Sequence, residues 1–355
     1  MEKELAFFDK IRTVTPYTPG EQPKNQNVIK LNTNENPYPP SPKVQKVLEA
    51  FEAGVLRKYP DPLCTELIDA LSKEYGVSKD RIFVGVGSDD VLAMSFLTFF
   101  NSKKPIVFPD ITYSFYDVWA DVFRIPYEMI PLKDDFTINT EAFVNTDCGG
   151  VVIPNPNAPT GVILETSAIE EIIKAHQDSV VIIDEAYVDF GGRSVLPLID
   201  KYENLLVVQT FSKSRSLAGS RIGFAFGSEK LIKYLSDVKF SFNSYTMDSI
   251  TQKIGAAALS DKEYFTETTK KIVKTREYFK KEVSKLGFTF PDSMSNFVFI
   301  HHDQYNAKDL FAALKENNIF VRYFDKPRIN DYLRVTIGTK EDMDKLLAFL
   351  SEYTK

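Results

Sequence analysis

The chain has two cysteines in 355 residues, Cys64 and Cys148, far apart and in no C-x-x-C pair. A disulfide framework is excluded, and reduced thiols in a cytoplasmic enzyme are the expectation. Its three histidines, His176, His301 and His302, are too few and too poorly spaced with cysteine for a zinc centre, so no metal is expected. No run of lysine and arginine forms a nucleic-acid arm, and the 49 acidic residues outnumber the 43 basic ones for a net charge of −6. Nucleic acid is therefore not an expected partner. A membrane span needs roughly 20 apolar residues. The longest such run, VLAMSFLTFF at 91–100, is about half of that and reads as a buried helix. The opening MEKELAFFDK mixes both charges and has no long apolar region, so neither a signal peptide nor a membrane partner is expected.

What is present is a chain long enough for two domains. A 43% hydrophobic content supplies a large core, and 28 Phe with 17 Tyr mean that any pocket is ring-lined. Residues 12–42 are rich in Pro and Asn and read as an extended arm. Helical patterns come next at 41–54 and 61–76, ending at Gly54 and Gly76. Short apolar strands then recur at 81–87, 104–110, 149–156, 180–188, 204–211 and 221–227, several separated by helical stretches. Alternation of this kind predicts an α/β fold with a mostly parallel central sheet flanked by helices. Ligands bind such sheets at the carboxyl ends of the strands. After about residue 230 the pattern changes to long helices near 246–260 and 262–286, then strands at 297–302, 319–324 and 332–338 with helices at 307–317 and 340–353. That predicts a smaller α+β domain.

Four motifs fall at strand ends. GVGSDD (85–90) stands at a strand-to-helix junction, where free N–H groups bind phosphate or where Ser88 and Asp89 are plain helix caps. It is no dinucleotide fingerprint, because Asp90 stands where the third glycine would be. In IIDEAY (182–187) a carboxylate, Asp184, closes an apolar strand and can meet a ligand cation or cap the next helix. NPNAPTG (155–161) is a proline-paced turn, structural or able to present an amide. FSKSRSLAGSRIG (211–223) places Lys213 and Arg221 on either side of a Gly219–Ser220 step that lets both face one cavity. An aldehyde that forms a Schiff base needs a lysine, a pyridine nitrogen that must stay protonated needs a carboxylate, and a phosphate needs N–H groups, hydroxyls and an arginine. Pyridoxal 5′-phosphate (PLP) needs all three. A P-loop reading fails for want of GxxxxGK[ST].

The order GVGSDD, DITYSFY, NPNAPTG, IIDEAYVDF and SKSRSLAGSRIG resembles the fold-type I PLP-dependent aminotransferases over nearly the whole chain. The segments VTPYTPGE (14–21), LNTNENPYPPSP (31–42), RKYPDP (57–62), IFVRYF and YLRVTIGT resemble, within them, the histidinol-phosphate aminotransferase family. The resemblance implies an N-terminal arm at 1–30 packed with the small domain, a large PLP-binding domain at 31–240 and a small domain at 241–355. It implies that Lys213 holds the cofactor aldehyde and shuttles the proton, that Asp184 faces the pyridine N–H, that Tyr187 donates to the ring oxygen, and that Tyr113 stacks on the ring. Ser88, Asp89, Ser212 and Arg221 would hold the cofactor phosphate. Arg334 would bind the carboxylate of the amino donor, Arg322 and Tyr17 the substrate phosphate, and Tyr59 would cross into the neighbouring site of a homodimer.

One departure stands out. The family has Asn directly before Pro-Thr-Gly, and this chain has Ala158, so the contact falls to Asn157, shifted by one, or is lost or bridged by water. Arg215 gets no role and reads as surface or interface charge. The implied reaction is transamination of L-histidinol phosphate with 2-oxoglutarate, giving imidazole acetol phosphate and glutamate in histidine biosynthesis. The alternatives are an aromatic amino acid aminotransferase of the same subfamily and a decarboxylase of threonine phosphate.

Overall fold

The computed structural model describes residues 8–24 and 27–355. The first half of the chain runs β1 (Ile29–Lys30), α1 (Pro42–Glu49), α2 (Thr65–Tyr75), β2 (Ile82–Gly85), α3 (Ser88–Phe99), β3 (Ile106–Pro109), α4 (Tyr116–Phe123) and β4 (Tyr127–Ile130). Next come α5 (Thr140–Asn145), β5 (Gly150–Pro154), α6 (Thr166–Ala175), β6 (Val181–Asp184), β7 (Leu205–Thr210), β8 (Gly223–Phe226) and α7 (Glu229–Phe242). The remainder is α8 (Ser249–Leu259), α9 (Lys262–Ser284), β9 (Phe297–His301), α10 (Ala307–Glu316), β10 (Ile319–Phe320), β11 (Arg322–Tyr323), β12 (Tyr332–Thr336) and α11 (Lys340–Tyr353).

Seven strands form the central sheet in the order β2-β8-β7-β6-β5-β3-β4. All run parallel except β8, which is antiparallel to both neighbours. The residues of β5, β6 and β7 are buried throughout, as expected of strands covered on both faces. A three-stranded antiparallel sheet, β11-β12-β9, carries the small domain, and its core joins Ile272 and Phe279 of α9 to Val298, Val335 and Leu346. Among the described residues no helix is long and apolar enough to cross a membrane.

Three elements depart from the sequence expectation. β4 (YEMI) is an edge strand whose two central residues are exposed, so it lacks the apolar run that marks the others. α7 is a full helix capped by Ser228, whose hydroxyl accepts from Leu231 N–H, and it buries Ile232 and Leu235. IFVRYF splits between two sheets, with Ile319–Phe320 pairing β1 and Arg322–Tyr323 pairing β12.

The packing places the change of body later than residue 240. α8 lies on α1 and α2, and Ile254, Ala258 and Leu259 join Leu67 and Leu71 in the core of the large body. The contact is close because α8 carries Gly255: a Cβ there would lie 2.9 Å from Leu67 Cδ1. The next helix, α9, joins the small-domain core, which also takes in Leu31 and Phe190. The arm does pack with the small domain at its end, where β1 pairs with β10. Upstream it crosses to the large domain: the Arg12 guanidinium donates to Val122 O, and Tyr17 stacks on Phe115 with centroids 4.2 Å apart. Residues 1–7 and 25–26 of the expected arm lie outside the described residues.

Candidate active site

A cavity of about 340 Å³ opens at the carboxyl ends of the central strands. Ser88, Asp89, Tyr113, Asp184, Tyr187, Ser212, Lys213 and Arg221 all line it, so one place gathers eight of the residues singled out from sequence. A second hollow of about 130 Å³ adjoins it, sharing Tyr113, Ala158, Tyr187 and Lys213 and adding Tyr17, Arg322 and Arg334.

At the floor, Asp184 ends β6 between two parallel neighbours and is buried. Its Oδ2 accepts from the Tyr116 hydroxyl at 2.8 Å and its Oδ1 from Ala186 N–H at 3.1 Å. Burial pushes its carboxyl up to about 6, against the pull of those two donors. The next residue, Glu185, faces away from the cavity. Its carboxylate takes Ser194 Oγ, Val195 N–H and Gln209 Nε2, and burial pushes it up to about 7.

The side wall carries Lys213, whose Nζ donates to Thr33 O at 3.3 Å and lies 5.6 Å from the centre of the Tyr187 ring. Asn36 holds the lysine's backbone, its Nδ2 donating to Lys213 O at 2.9 Å. Tyr187 Oη accepts from Asn34 Nδ2 at 2.9 Å, which leaves the phenol hydrogen free to donate into the cavity.

The anion end is the start of α3. Its N-cap is Gly87 at φ +86 with no capping side chain, so the first N–H groups of the helix have no intrahelical partner. A Cβ on Gly87 would lie 2.5 Å from Arg221 Nη2, so glycine is what lets the guanidinium lie against this turn. Asp89 does something other than hold phosphate with its side chain. Its carboxylate bridges Arg221 Nη2 at 2.9 Å and the Tyr113 hydroxyl at 2.8 Å, fixing both. Burial and that carboxylate push the Tyr113 phenol well above its usual range.

In the second hollow Arg334 is half-buried, with Nη2 donating to Asn32 O at 2.9 Å and a buried Nε that has no hydrogen-bond partner. Burial, with Arg322 nearby, lowers its tendency to stay protonated. Arg322 donates to Thr18 O at 3.1 Å and Pro19 O at 3.3 Å, which ties it to the arm.

Two expected site residues are not brought to the cavity. Asn157 is buried in its own turn: its Nδ2 donates to Ile111 O at 2.9 Å and its Oδ1 accepts from Thr112 Oγ1 at 3.1 Å, while Ala158 faces the cavity. Tyr59 lies on the outer surface, 82% exposed, against Tyr245 at 4.7 Å between ring centres. Arg215 is also not a surface charge. It is buried with its guanidinium 4.2 Å from the Phe265 ring centre and 3.8 Å from Glu74. Sequence reasoning missed Tyr116, Asn34 and Asn36. The two asparagines stand in the quoted LNTNENPYPPSP, but nothing in their spacing says what they touch.

Residues 26–350 match the family described as Aminotransferase class I and II. The chain belongs to the class I and II aminotransferases. A histidinol-phosphate aminotransferase of Lactococcus lactis subsp. cremoris (strain MG1363) is 53% identical over 351 residues, 99% of this aminotransferase and 98% of that protein. One of Clostridium botulinum (strain Kyoto / Type A2) is 53% identical over 333 residues, 94% of each chain. A solved histidinol-phosphate aminotransferase from Sinorhizobium meliloti, in complex with pyridoxal-5′-phosphate, superposes with a TM-score of 0.85 at 25% identity, covering 92% of this aminotransferase and 90% of that chain. The aminotransferase class is PLP-dependent, and the cavity fits the group. A lysine amine, a buried carboxylate, an aromatic wall and an uncapped helix start with an arginine stand around one space.

Proposed function

We propose that this aminotransferase exchanges the amino group of L-histidinol phosphate with 2-oxoglutarate, giving imidazole acetol phosphate and glutamate, a step of histidine biosynthesis. The observation that carries the reading is the second hollow. Arg322 and Arg334 stand there together beside Lys213, and the Nε of Arg334 is buried and unpartnered. The cofactor phosphate has its own cradle at the start of α3, so this second cation pair is free for a substrate anion. A guanidinium serves a phosphate and a carboxylate equally well, as the two half-reactions require.

PLP, when bound, supplies the electron sink. Lys213 Nζ would hold the cofactor aldehyde and would serve as the base that moves the proton at the substrate carbon. Asp184 would favour a protonated ring nitrogen, and Tyr187 Oη would donate to the ring oxygen. Ser88, Ser212 and Arg221 would hold the cofactor phosphate, with Asp89 orienting Arg221 through its side chain. Tyr113 would stack on the ring, and Tyr17 would close the substrate end. The working unit is a homodimer in which Tyr59 completes the neighbouring site. The two free thiols suit a cytoplasmic setting.

A second reading, an aromatic amino acid aminotransferase, is favoured by the rings around the hollow, where Tyr17 packs on Phe115 and Phe324 stands beside Arg322. The test compares kcat/KM for histidinol phosphate and phenylalanine with 2-oxoglutarate as acceptor. Preference for histidinol phosphate supports the first reading. A preference for phenylalanine of about tenfold or more, roughly 1.4 kcal/mol of transition-state binding, selects the second.

A further inference from the structure

Lys239 of α7 is buried, 6% exposed, although lysines are rarely buried without a counter-charge in contact. Among the described residues, the hydrogen bond it makes is to a backbone carbonyl: Nζ donates to Val84 O at 2.8 Å. Its ammonium also lies 5.3 Å from the centre of the Phe83 ring. Burial lowers its tendency to hold the proton, while Cys64 and Asp90 act in the opposite direction.

Val84 explains where this bond matters. β2 is the end strand of the seven-stranded sheet and pairs with β8 alone, so its outer edge has no strand to receive its carbonyls. Lys239 takes the place of that missing strand at Val84. Directly after Val84 the chain makes the Gly85–Val86–Gly87 turn that opens α3. The turn is already bounded on two other sides. Asp90 Oδ2 accepts from Val86 N–H at 2.8 Å. Gly223 lies so close beneath that a Cβ there would be 2.2 Å from the Gly87 carbonyl carbon and 2.3 Å from Ser88 N. Lys239 adds a hold from the outer edge of β2, at the carbonyl that leads into the turn.

We propose that Lys239 is a positioning residue for the anion end of the cavity: by holding Val84 O it fixes the turn that aims the first N–H groups of α3, and Arg221 against Gly87, at a phosphate monoester. It touches neither the cofactor nor the substrate. The inference rests on the reading of this end of the cavity as the PLP phosphate site.

The test is equilibrium binding to cofactor-free protein, followed by absorbance, of PLP and of pyridoxal, which has the same ring and aldehyde without the phosphate. Lys239→Met is expected to raise the Kd for PLP by about tenfold and to leave the Kd for pyridoxal within about twofold. Lys239→Gln, which keeps a donor, serves where Lys239→Met does not fold, with the same PLP-selective loss in smaller measure. Equal weakening of both ligands, or an unchanged PLP-to-pyridoxal ratio in the folded variant, overturns the proposal. Wild-type protein that binds neither ligand overturns the cofactor reading itself, a result distinct from the loss of selectivity.

Discussion

The Tyr116 hydroxyl donates to Asp184 Oδ2 at 2.8 Å, and both residues are buried beneath the cavity. Burial alone drives the Asp184 carboxyl toward its neutral form, and Tyr116 is the first of the groups that oppose it. A hydrogen bond to a charged group is worth about 1.5–3 kcal/mol. Tyr116→Phe is therefore expected to lower kcat/KM by roughly 10- to 100-fold and to shift the acid limb of the pH–rate profile to higher pH. An acid limb that stays in place would mean that Tyr116 only fills space.

Asp184 and Glu185 also set how the cofactor-free protein responds to pH. Their folded-state values, about 6 and about 7, lie above the ordinary carboxyl values of 3.8 and 4.5. The folded state then binds more protons than the unfolded one between roughly pH 4 and pH 7. Their contribution is complete below that window and is lost as pH rises through it, on the order of 3 kcal/mol for each carboxyl. The Tm of cofactor-free protein is expected to fall across this window. Glu185→Gln should flatten the fall, and bound PLP should flatten the Asp184 part, because a ring N–H favours the carboxylate. Thermal melts at several pH values check this, and a Tm that climbs from pH 5 to 7 contradicts it.

Arg334 invites a prediction of opposite signs for stability and activity. Its buried Nε has no hydrogen-bond partner, which costs stability, and an apolar replacement of similar length relieves about 1–3 kcal/mol. Arg334→Met should thus raise the Tm of the ligand-free protein while raising KM for glutamate by about 100-fold or more. Denaturation and steady-state kinetics on one preparation decide it. A large loss of stability with little change in KM would make Arg334 a structural residue.

The inner strand ends were legible because β3, β5 and β6 open as apolar runs that meet a polar residue at or just after their end, as VII meets Asp184 and Glu185. Lys213, Asp184, Tyr187 and Arg221 follow such runs closely, so their convergence could be read before any coordinates. What could not be read depends on which residue faces which. β4 exposes its two central residues, and α7 (EKLIKYLSDVKFSF) mixes lysines with its apolar stripe. The assignment of Asn157 failed because adjacent residues of a turn point in different directions. Arg215 was misplaced because a cation stacked on Phe265 carries no mark of burial in its neighbours along the chain.

Exposed apolar side chains flank both members of the Tyr59–Tyr245 ring pair in the chain: Leu56 is 58% exposed and Leu63 60%, and Phe242 is 69% exposed. If the proposed homodimer forms over them, a charge there is expected to separate its subunits. Phe242→Glu should run as a monomer in analytical ultracentrifugation, with kcat/KM lowered by about tenfold or more because Tyr59 no longer reaches a second site. A fully active monomer would remove Tyr59 from the site, and a monomeric wild type would remove the dimer.

Ala158 faces the cavity where the asparagine of the Asn-Pro-Thr-Gly motif would stand, and Asn157 is committed to Ile111 and Thr112. On the proposed reading Tyr187, whose oxygen accepts from Asn34, would then be the side chain left to donate to the cofactor's ring oxygen. Tyr187→Phe should cost roughly 10- to 100-fold in kcat/KM. Ala158→Asn would supply a second donor facing the same cavity, so in the Tyr187→Phe background it should recover part of that loss, and alone it should change little. The two substitutions must therefore be non-additive, which a double-mutant cycle in kcat/KM measures directly. Strict additivity would show that positions 158 and 187 do not serve the same oxygen.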